Sequence, residues 1–538
     1  MNPLTAPPGR AVRPAALLLV LALTSTALAA CSGGGDDAAS GGGHASDGTF
    51  TLALATDPGN LDPHASATSS VLGMSRLAYD TIVAVDPEST EVVPSLAAEW
   101  SVDGTTATFT LRDDVTCADG SAFTAETAAA NIEHVADPAN ESPYLGAFLP
   151  AGVTASADGD TLTLELAGPA PFLLEGLSSL AMVCDSGLAD RDTLAAGTAG
   201  TGPFVLDEAV PDDHYTYSVR EGYTWGPDGA TTTEPGTPAT VNVRIVANET
   251  TSANLLLSGE VNAVQVIGPD TERLEAAGLY SAESAGLLGE QWYNHAEGHV
   301  TADPAVRAAL AQALDLTELR QVLTSGKGSP PTTLATVSPA ACTGDSITAA
   351  LPEHDPAAAA TTLDDAGWTL GDDGVRAKDG KPLTIAFLHD TALGTGGASA
   401  AELATAAWTD LGVDVDVTGK NTTELSEILF GTGAWDVAWE PINVSSPDQL
   451  VGFLSGPSVA DGGTNFAAID NADYAAAVGE ATTMQGAEGC DTWLAGETAL
   501  VEATDVTPFA NSLVKIYGNG AEFLSTGSIV PTSIRVLS

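Results

Sequence analysis

An α/β fold follows from three features of this 538-residue sequence. The second half alternates helical and strand patterns, as chains do when helices pack on an open sheet. The first half carries two Asp-Gly hairpin signals, at 103–104 and 158–159. Near residue 50 a run alternates apolar and polar side chains with the period of two that marks a half-buried strand.

In chain order, residues 31–48 are a Gly/Ser/Asp spacer with almost nothing to bury. Thr49 to Ala55 follows as a strand with Phe50, Leu52 and Leu54 on one face. The segment E-W-S-V-D-G-T-T-A-T-F-T-L-R at 99–112 reads as a hairpin, and Ala157-Asp158-Gly159-Asp160 before T-L-T-L-E-L repeats the signal. Asp303-Pro304 supplies an N-cap and a first-turn proline, and Val306, Leu310 and Leu314 recur on one helical face. Asp355-Pro356 opens a second helix that ends near Gly367. Ala400 to Leu411 is helical, Gly412 stops it, and Val413, Val415 and Val417 alternate with Asp414 and Asp416 as a strand. Glu424 to Phe430 gives another helix, then W-D-V-A-W at 435–439 another strand. No internal repeat is present.

Ala15 to Ala30 is an apolar run of 16 residues behind Arg10 and Arg13. It falls short of the roughly 18–20 residues of a membrane-spanning helix and reads as a secretory signal, residues 1–30. Leu28-Ala29-Ala30-Cys31 resembles the bacterial lipobox, in which the chain is cut before a cysteine that carries lipid. The expectation is an extracytoplasmic protein tethered through Cys31 to the outer face of the cell membrane, where several acyl chains hold better than one.

Seventeen basic against 71 acidic side chains give a net charge of −54. Loss of the leader with its two arginines takes the mature chain to −56. Such a field excludes nucleic acid and anionic lipid headgroups as partners, and dispersed acidity is also how an exported protein stays soluble. Beyond Cys31 stand Cys117, Cys184, Cys342 and Cys490, an even number that favours two disulfides in any of three pairings. No C-x-x-C suggests zinc or thioredoxin-like chemistry.

Motifs of catalysis are missing: no G-x-S-x-G, P-loop, G-x-G-x-x-G or H-E-x-x-H occurs. His295 and His299 stand four apart, but N-H-A-E-G-H-V is a poor helix, and they read as loop histidines rather than a metal pair. Asp372, Asp373 and Asp379 lack EF-hand spacing and mark turns. No carboxylate pair stands out for glycoside hydrolysis. A tethered exported chain without a catalytic constellation is expected to bind rather than convert.

Several stretches carry a resemblance: N-L-D-P-H at 60–64, the long run V-P-S-L-A-A-E-W through D-G-S-A-F-T-A-E at 93–126, S-P-Y at 142–144 and G-T-G-P-F at 200–204. L-S-G-E-V-N-A at 257–263, D-P-A-V-R-A-A-L-A-Q-A-L-D at 303–315, D-D-A-G-W at 364–368 and D-G-V-R-A-K-D-G-K-P-L at 373–383 complete the set. In this order the chain resembles the family 5 extracellular solute-binding proteins, the oligopeptide-, dipeptide- and nickel-binding receptors of ABC importers.

The resemblance implies a periplasmic-binding-protein-like type II fold of two hinged lobes and three domains. Domain I would be 49–84, 199–290 and 508–538, domain II 85–198, and domain III 291–507. Neighbourhood then favours Cys117–Cys184 within domain II and Cys342–Cys490 within domain III. It also implies a monomer without cofactor or metal, which closes on a peptide or other small solute and presents it to permease subunits. A domain III aspartate of peptide-binding members, the anchor of the α-ammonium, aligns with Val444 or Ser445, so that anchor is missing here. Glu440 and Asp448 are the substitutes within reach along the chain. Candidate ligand residues are Tyr144, Gln265, Trp292, Asn294, Trp439, Glu440, Asn443 and Ser445, with Asp436 in a structural role. A receptor working without a transporter, or an extracytoplasmic hydrolase, are the alternative readings.

Overall fold

The computed structural model describes residues 43–66, 69–267 and 270–538. The leader, Cys31 and the spacer up to residue 42 lie outside them. Residues 43–48, spacer by composition, are paired with the C-terminal tail: Ala45 N–H donates to Val536 O at 2.9 Å and Ser538 N–H to Gly43 O at 2.7 Å. The backbone supplies the partners that the side chains of this segment cannot.

Among the described residues the largest sheet has ten strands. They are β1 (Thr49–Leu54), β2 (Phe204–Val210), β3 (His214–Val219), β4 (Thr240–Ile245), β5 (Ala263–Val266), β6 (Tyr280–Tyr293), β7 (Thr384–Asp390), β8 (Asp414–Lys420), β9 (Val437–Trp439) and β10 (Val506–Gly518). Their spatial order is β8-β7-β9-β6-β10-β5-β1-β4-β3-β2. β1 runs parallel to both β4 and β5. A central parallel strand is covered on both faces, so Thr51 and Ala53 are buried as well as Phe50, where alternation alone predicts one buried face.

β6 and β10 are the long members, at 14 and 13 residues. They pair antiparallel from Tyr280 opposite Gly518 to Trp292 opposite Val506. β5 joins this ribbon at one end, through Val266 opposite Lys515, and β9 joins at the other, through Gln291 opposite Trp439. One half of the sheet is thus β5-β1-β4-β3-β2 and the other β9-β7-β8, and the ribbon belongs to both.

The ribbon is irregular at one place. Register shifts occur on both sides of Gly289. A Cβ on Gly289 would lie 2.5 Å from the Phe509 ring, so glycine is what lets the two strands approach there. Phe509 in turn packs on Trp439, ring centroids 5.0 Å apart. Asn443 spans the bulge, its Nδ2 donating to Leu287 O at 2.9 Å and its Oδ1 accepting from Leu287 N–H at 2.8 Å.

A second, antiparallel sheet holds Ala97–Asp103, Thr106–Leu111, Thr161–Glu165 and Thr154–Asp158 in that order. Both Asp-Gly signals form hairpins, with Gly104 and Gly159 at φ +62° and +63°. Helix Ala125–Ala136 covers this sheet, and Phe109, Leu162, Leu164 and Ile132 make a shared core. The Cys117–Cys184 and Cys342–Cys490 disulfides are both present.

The helices begin where their caps indicate. Asp303 accepts from Ala305 N–H and starts Pro304–Gln312; Asp355 accepts from Ala357 and Ala358 and starts Pro356–Asp365. The helix expected at 400–411 instead covers Gly394–Asp410. Gly396 in its first turn serves contact rather than termination: a Cβ there would lie 2.3 Å from Leu323 O. The helix expected at 424–430 covers Thr422–Glu427 and widens into a π-type turn over Ile428–Thr432.

Gly289→Ala drives a methyl group into the Phe509 ring at the ribbon's bulge. It is expected to lower stability by about 1–3 kcal/mol, the usual range for overpacking, read as a lower midpoint in urea unfolding. An unchanged midpoint would show that the bulge accommodates a side chain.

Candidate ligand-binding site

The loop N-L-D-P-H is built by local hydrogen bonds. Asn60 Oδ1 accepts from Asp62 N–H and Asp62 Oδ1 from His64 N–H, both at 2.9 Å. Asp62 also pairs with Arg191, and His64 Nε2 donates to Ala181 O at 2.7 Å. Burial pushes His64 down to about 4, so the ring is neutral at physiological pH. Ser142 Oγ donates to His64 O at 2.9 Å, and the Tyr144 ring meets His64 edge-on at 6.3 Å. The motif is therefore a joint that fixes the S-P-Y segment against the chain's first strand and helix.

After this joint, helix Ser69–Ala78 directs Arg76 to a cavity of about 460 Å³. Tyr79, Asp80, Tyr223, Thr526 and Pro339 also line it. Asp80 is committed inward: its carboxylate accepts from Tyr223 Oη at 2.7 Å, Thr201 Oγ1 at 2.9 Å and Trp225 Nε1 at 3.2 Å. Arg76 Nη1 donates to Thr526 Oγ1, and no described carboxylate lies within ion-pair distance of it. Burial lowers the Arg76 pKa, and Tyr144 is the titratable group whose proximity opposes that. A second cavity, about 490 Å³, lies on the Met74 side of the same helix with Phe50, Leu52, Leu54 and Ile516, and Gln265 lines it from β5.

The residues expected at the ligand fall in different places. Tyr144 is fully buried in the core of the second sheet. Gln265 is exposed on β5. Trp292 and Trp439 have no accessible surface, and their indole N–H groups donate to Glu440 O at 2.8 Å and Gln291 Oε1 at 3.0 Å. Asn294, also buried, donates to Trp435 O at 3.0 Å and accepts from Ala296 N–H at 3.0 Å. Asn443 spans the ribbon bulge. Ser445 O accepts from Ala341 N–H at 2.8 Å, and Ser446 Oγ is bonded to Asp448. Asp436 accepts from Ala386 N–H at 2.8 Å and pairs with His299 at 2.9 Å. His295 faces Asp505 instead, at 3.8 Å, so the two histidines have separate partners. Trp292, Trp439, Glu440 and Asn443 thus all lie near where β6 meets β9, but Trp292 and Trp439 pack into separate cores on opposite faces of the sheet. Arg76 and Thr526 were not among the residues singled out in the sequence.

Near that junction the structure buries acids. Glu290 Oε2 accepts from Ile442 N–H at 2.9 Å, and burial pushes the group up to about 8, with Glu440 and Glu497 adding repulsion. Burial pushes Glu440 up to about 7, Asp390 adding to it, and Glu440 Oε2 is enclosed without a partner. Glu497 also rises to about 7 through burial, although Ser346 and Leu334 donate to it. Among the described residues no three His, Cys, Asp or Glu side chains converge as a metal-ligand set.

Two half-sheets share one ribbon, and two half-open cavities flank helix Ser69–Ala78. The family described as bacterial extracellular solute-binding proteins, family 5 Middle, matches residues 91–459. The chain belongs to that family. The nickel-binding periplasmic protein of Escherichia coli K12 is 36% identical over 103 residues, which is 19% of this chain and only 19% of that relative's length. A substrate-binding protein from Microbacterium hydrocarbonoxydans, solved with 4-hydroxybenzoate hydrazide, is 28% identical with a TM-score of 0.67, covering 91% of this chain and 99% of its own. NikA from Brucella suis, solved with Fe(III)-EDTA, shares the fold at 24% identity and a TM-score of 0.74, covering 91% and 100%.

The buried acids set a pH dependence. Between the ordinary carboxyl value of 4.5 and about 8, folded Glu290 keeps a proton that the unfolded chain has released. Its contribution is whole below pH 4.5 and is lost as pH rises to 8. Asp114, held low by Arg112, acts the other way at acid pH, and so do the buried rings of His64 and His295, whose neutral state costs stability as pH falls below 6.5. The thermal midpoint is therefore expected to be highest near pH 5 and to fall toward pH 8, as self-repulsion also grows. Glu290→Gln is expected to flatten the fall and recover on the order of 2 kcal/mol at pH 8. A parallel pH profile in the variant would count against the assignment.

Proposed function

We propose that this chain is the substrate-binding lipoprotein of an ABC importer, held through Cys31 to the outer face of the cell membrane. It captures a peptide-like or other small polar solute by lobe closure and delivers it to the permease. Family membership supports the role. The observation that carries the mechanism is in the ribbon. The proposed passages between domains I and III, at 290/291 and 507/508, are register partners: Glu290 lies opposite Pro508 and Gln291 opposite Thr507. Two crossings side by side make a hinge. Away from the ribbon, Gln449 Nε2 donates to Ala147 O at 3.0 Å and Gly486 N–H to Pro171 O at 2.8 Å, joining the proposed domains III and II as closure requires. Few polar contacts do this, so a ligand touching both lobes has differential affinity with which to shift the equilibrium.

For the ligand, we favour a small non-peptide solute. No acid stands at Val444 or Ser445, and Asp448 is occupied by Ser446, which leaves Glu440 as the one candidate for an ammonium. The Microbacterium relative was solved with a small aryl hydrazide, and the 460 Å³ cavity suits a molecule of that scale.

Native mass spectrometry of the purified chain is expected to reveal a co-purified small solute, and calorimetry with di- to pentapeptides to give no heat. Peptide binding would reverse the choice of ligand class. For the anchor, Cys31→Ser is expected to move the protein from the membrane fraction to the soluble fraction; retention in the membrane would refute lipidation.

A further inference from the structure

Resting on the solute-binding reading, one more property of the site follows from Arg76. Several buried or half-buried arginines already have their counter-charge: Arg191 pairs with Asp62, Arg307 with Asp505 and Arg376 with Asp364. Arg220 is saturated by the carbonyls of Gly202, Gly200 and Thr116. Arg76 has one neutral partner, Thr526 Oγ1, and lines the 460 Å³ cavity. In a chain with 71 acidic side chains, Arg76 lines this cavity with no described carboxylate within ion-pair distance, although Asp80, Asp86 and Asp228 line it too. The acids lining the same cavity form no ion pair with it: Asp80 is bonded to Tyr223, Thr201 and Trp225, Asp86 accepts from the Glu88 and Ser89 N–H groups, and Asp228 is the third. A second guanidinium, Arg535, also lines the cavity and donates to Thr532 O and Ile534 O.

We infer that Arg76 anchors a carboxylate of the bound solute, so that the ligand class is a small monocarboxylate. A guanidinium presents a planar fork that matches a carboxylate with two parallel hydrogen bonds, and Thr526 holds one edge of the fork in place. The surrounding negative field disfavours polyanions, which points to a single acidic group on an otherwise compact molecule.

The test uses the purified full-length chain and matched probes: benzoate and benzamide, 4-hydroxybenzoate and 4-hydroxybenzamide, butyrate and butyramide, and inorganic phosphate. Titration calorimetry and the thermal midpoint are read for wild type, Arg76→Gln and Arg76→Lys. At least one carboxylate is expected to bind about tenfold or more tightly than its amide. Arg76→Gln is expected to erase that preference, and Arg76→Lys, which keeps the charge but not the fork, to retain part of it. An amide as tight as its acid, a preference that survives Arg76→Gln, or phosphate binding without carboxylate binding would overturn the inference. So would a set in which no carboxylate binds; heat from the amides in that set would still leave the solute-binding reading standing. Should Arg76→Gln fail to fold, the comparison of acid with amide in wild type and Arg76→Lys decides alone.

Discussion

The pairing of β6 with β10 is the constraint on which the remaining structure depends. These strands are long enough for one half-sheet to attach at each end, so both halves take their position from one ladder. The ladder is weakest where the proposed lobes meet. Pro508 has no N–H to give, Gly289 has no side chain, and the register slips around them. Proline within a sheet is tolerated at such bulges and hardly elsewhere. Asn443 from beyond β9 replaces part of the missing bonding by clasping Leu287, and Phe509 fills the space that Gly289 leaves. A ribbon interrupted in this way has its bonding loosened at one level, where the proposed hinge falls.

Charge is distributed by a second rule. The chain has 17 basic residues, and several of its arginines act as cross-links between distant backbone segments. Arg307 donates to Thr504 O and Thr301 O as well as to Asp505, and Arg376 to Leu411 O and Trp368 O as well as to Asp364. Each satisfies carbonyls that turns leave without a partner, and leaving those unmade would be costly in a buried setting. The acids that could not be matched in this way, Glu290, Glu440 and Glu497, gather beside the ribbon and are held near or above neutrality by burial. Protonated, they are compatible with their apolar surroundings.

Local signals were legible in the sequence because their causes are local. Asp303 and Asp355 cap the helices that follow them, and Gly104 and Gly159 turn their hairpins, through bonds that span a few residues. The start of helix Gly394–Asp410 was hidden, since Gly396, of a residue type that normally breaks helices, is here demanded by the backbone of Leu323 more than seventy residues away. The second buried face of β1 was hidden for a similar reason: it is covered by helix Glu249–Ser258, whose Ala253 and Leu256, far along the chain, share a core with Ala53. The candidate site was the least legible part. Trp292, Asn294 and Trp439 attract notice as large or polar residues near a crossover, yet each has its polar atom satisfied inside the protein. Arg76 sits in S-S-V-L-G-M-S-R-L-A, which reads as an ordinary amphipathic helix, and its partner Thr526 is 450 residues away. The one available signal was scarcity: an arginine in an apolar helix of a chain so poor in bases.

That scarcity bears on how binding and closure are coupled. A surface carrying tens of negative charges repels an approaching carboxylate at long range, although salt confines the effect to about 8 Å at physiological ionic strength. Attraction from Arg76 therefore prevails only at contact and only where water is excluded, because the same charge pair is worth several times more at low effective dielectric than in water. On the proposed mechanism, an open cleft leaves Arg76 hydrated and its selectivity weak. A closed one strengthens the pair and at the same time forms the bridges from Gln449 to Ala147 and from Gly486 to Pro171. In the proposed reading, recognition of the acidic group and closure of the lobes are one equilibrium, and a solute without that group would gain little from closing the protein around it.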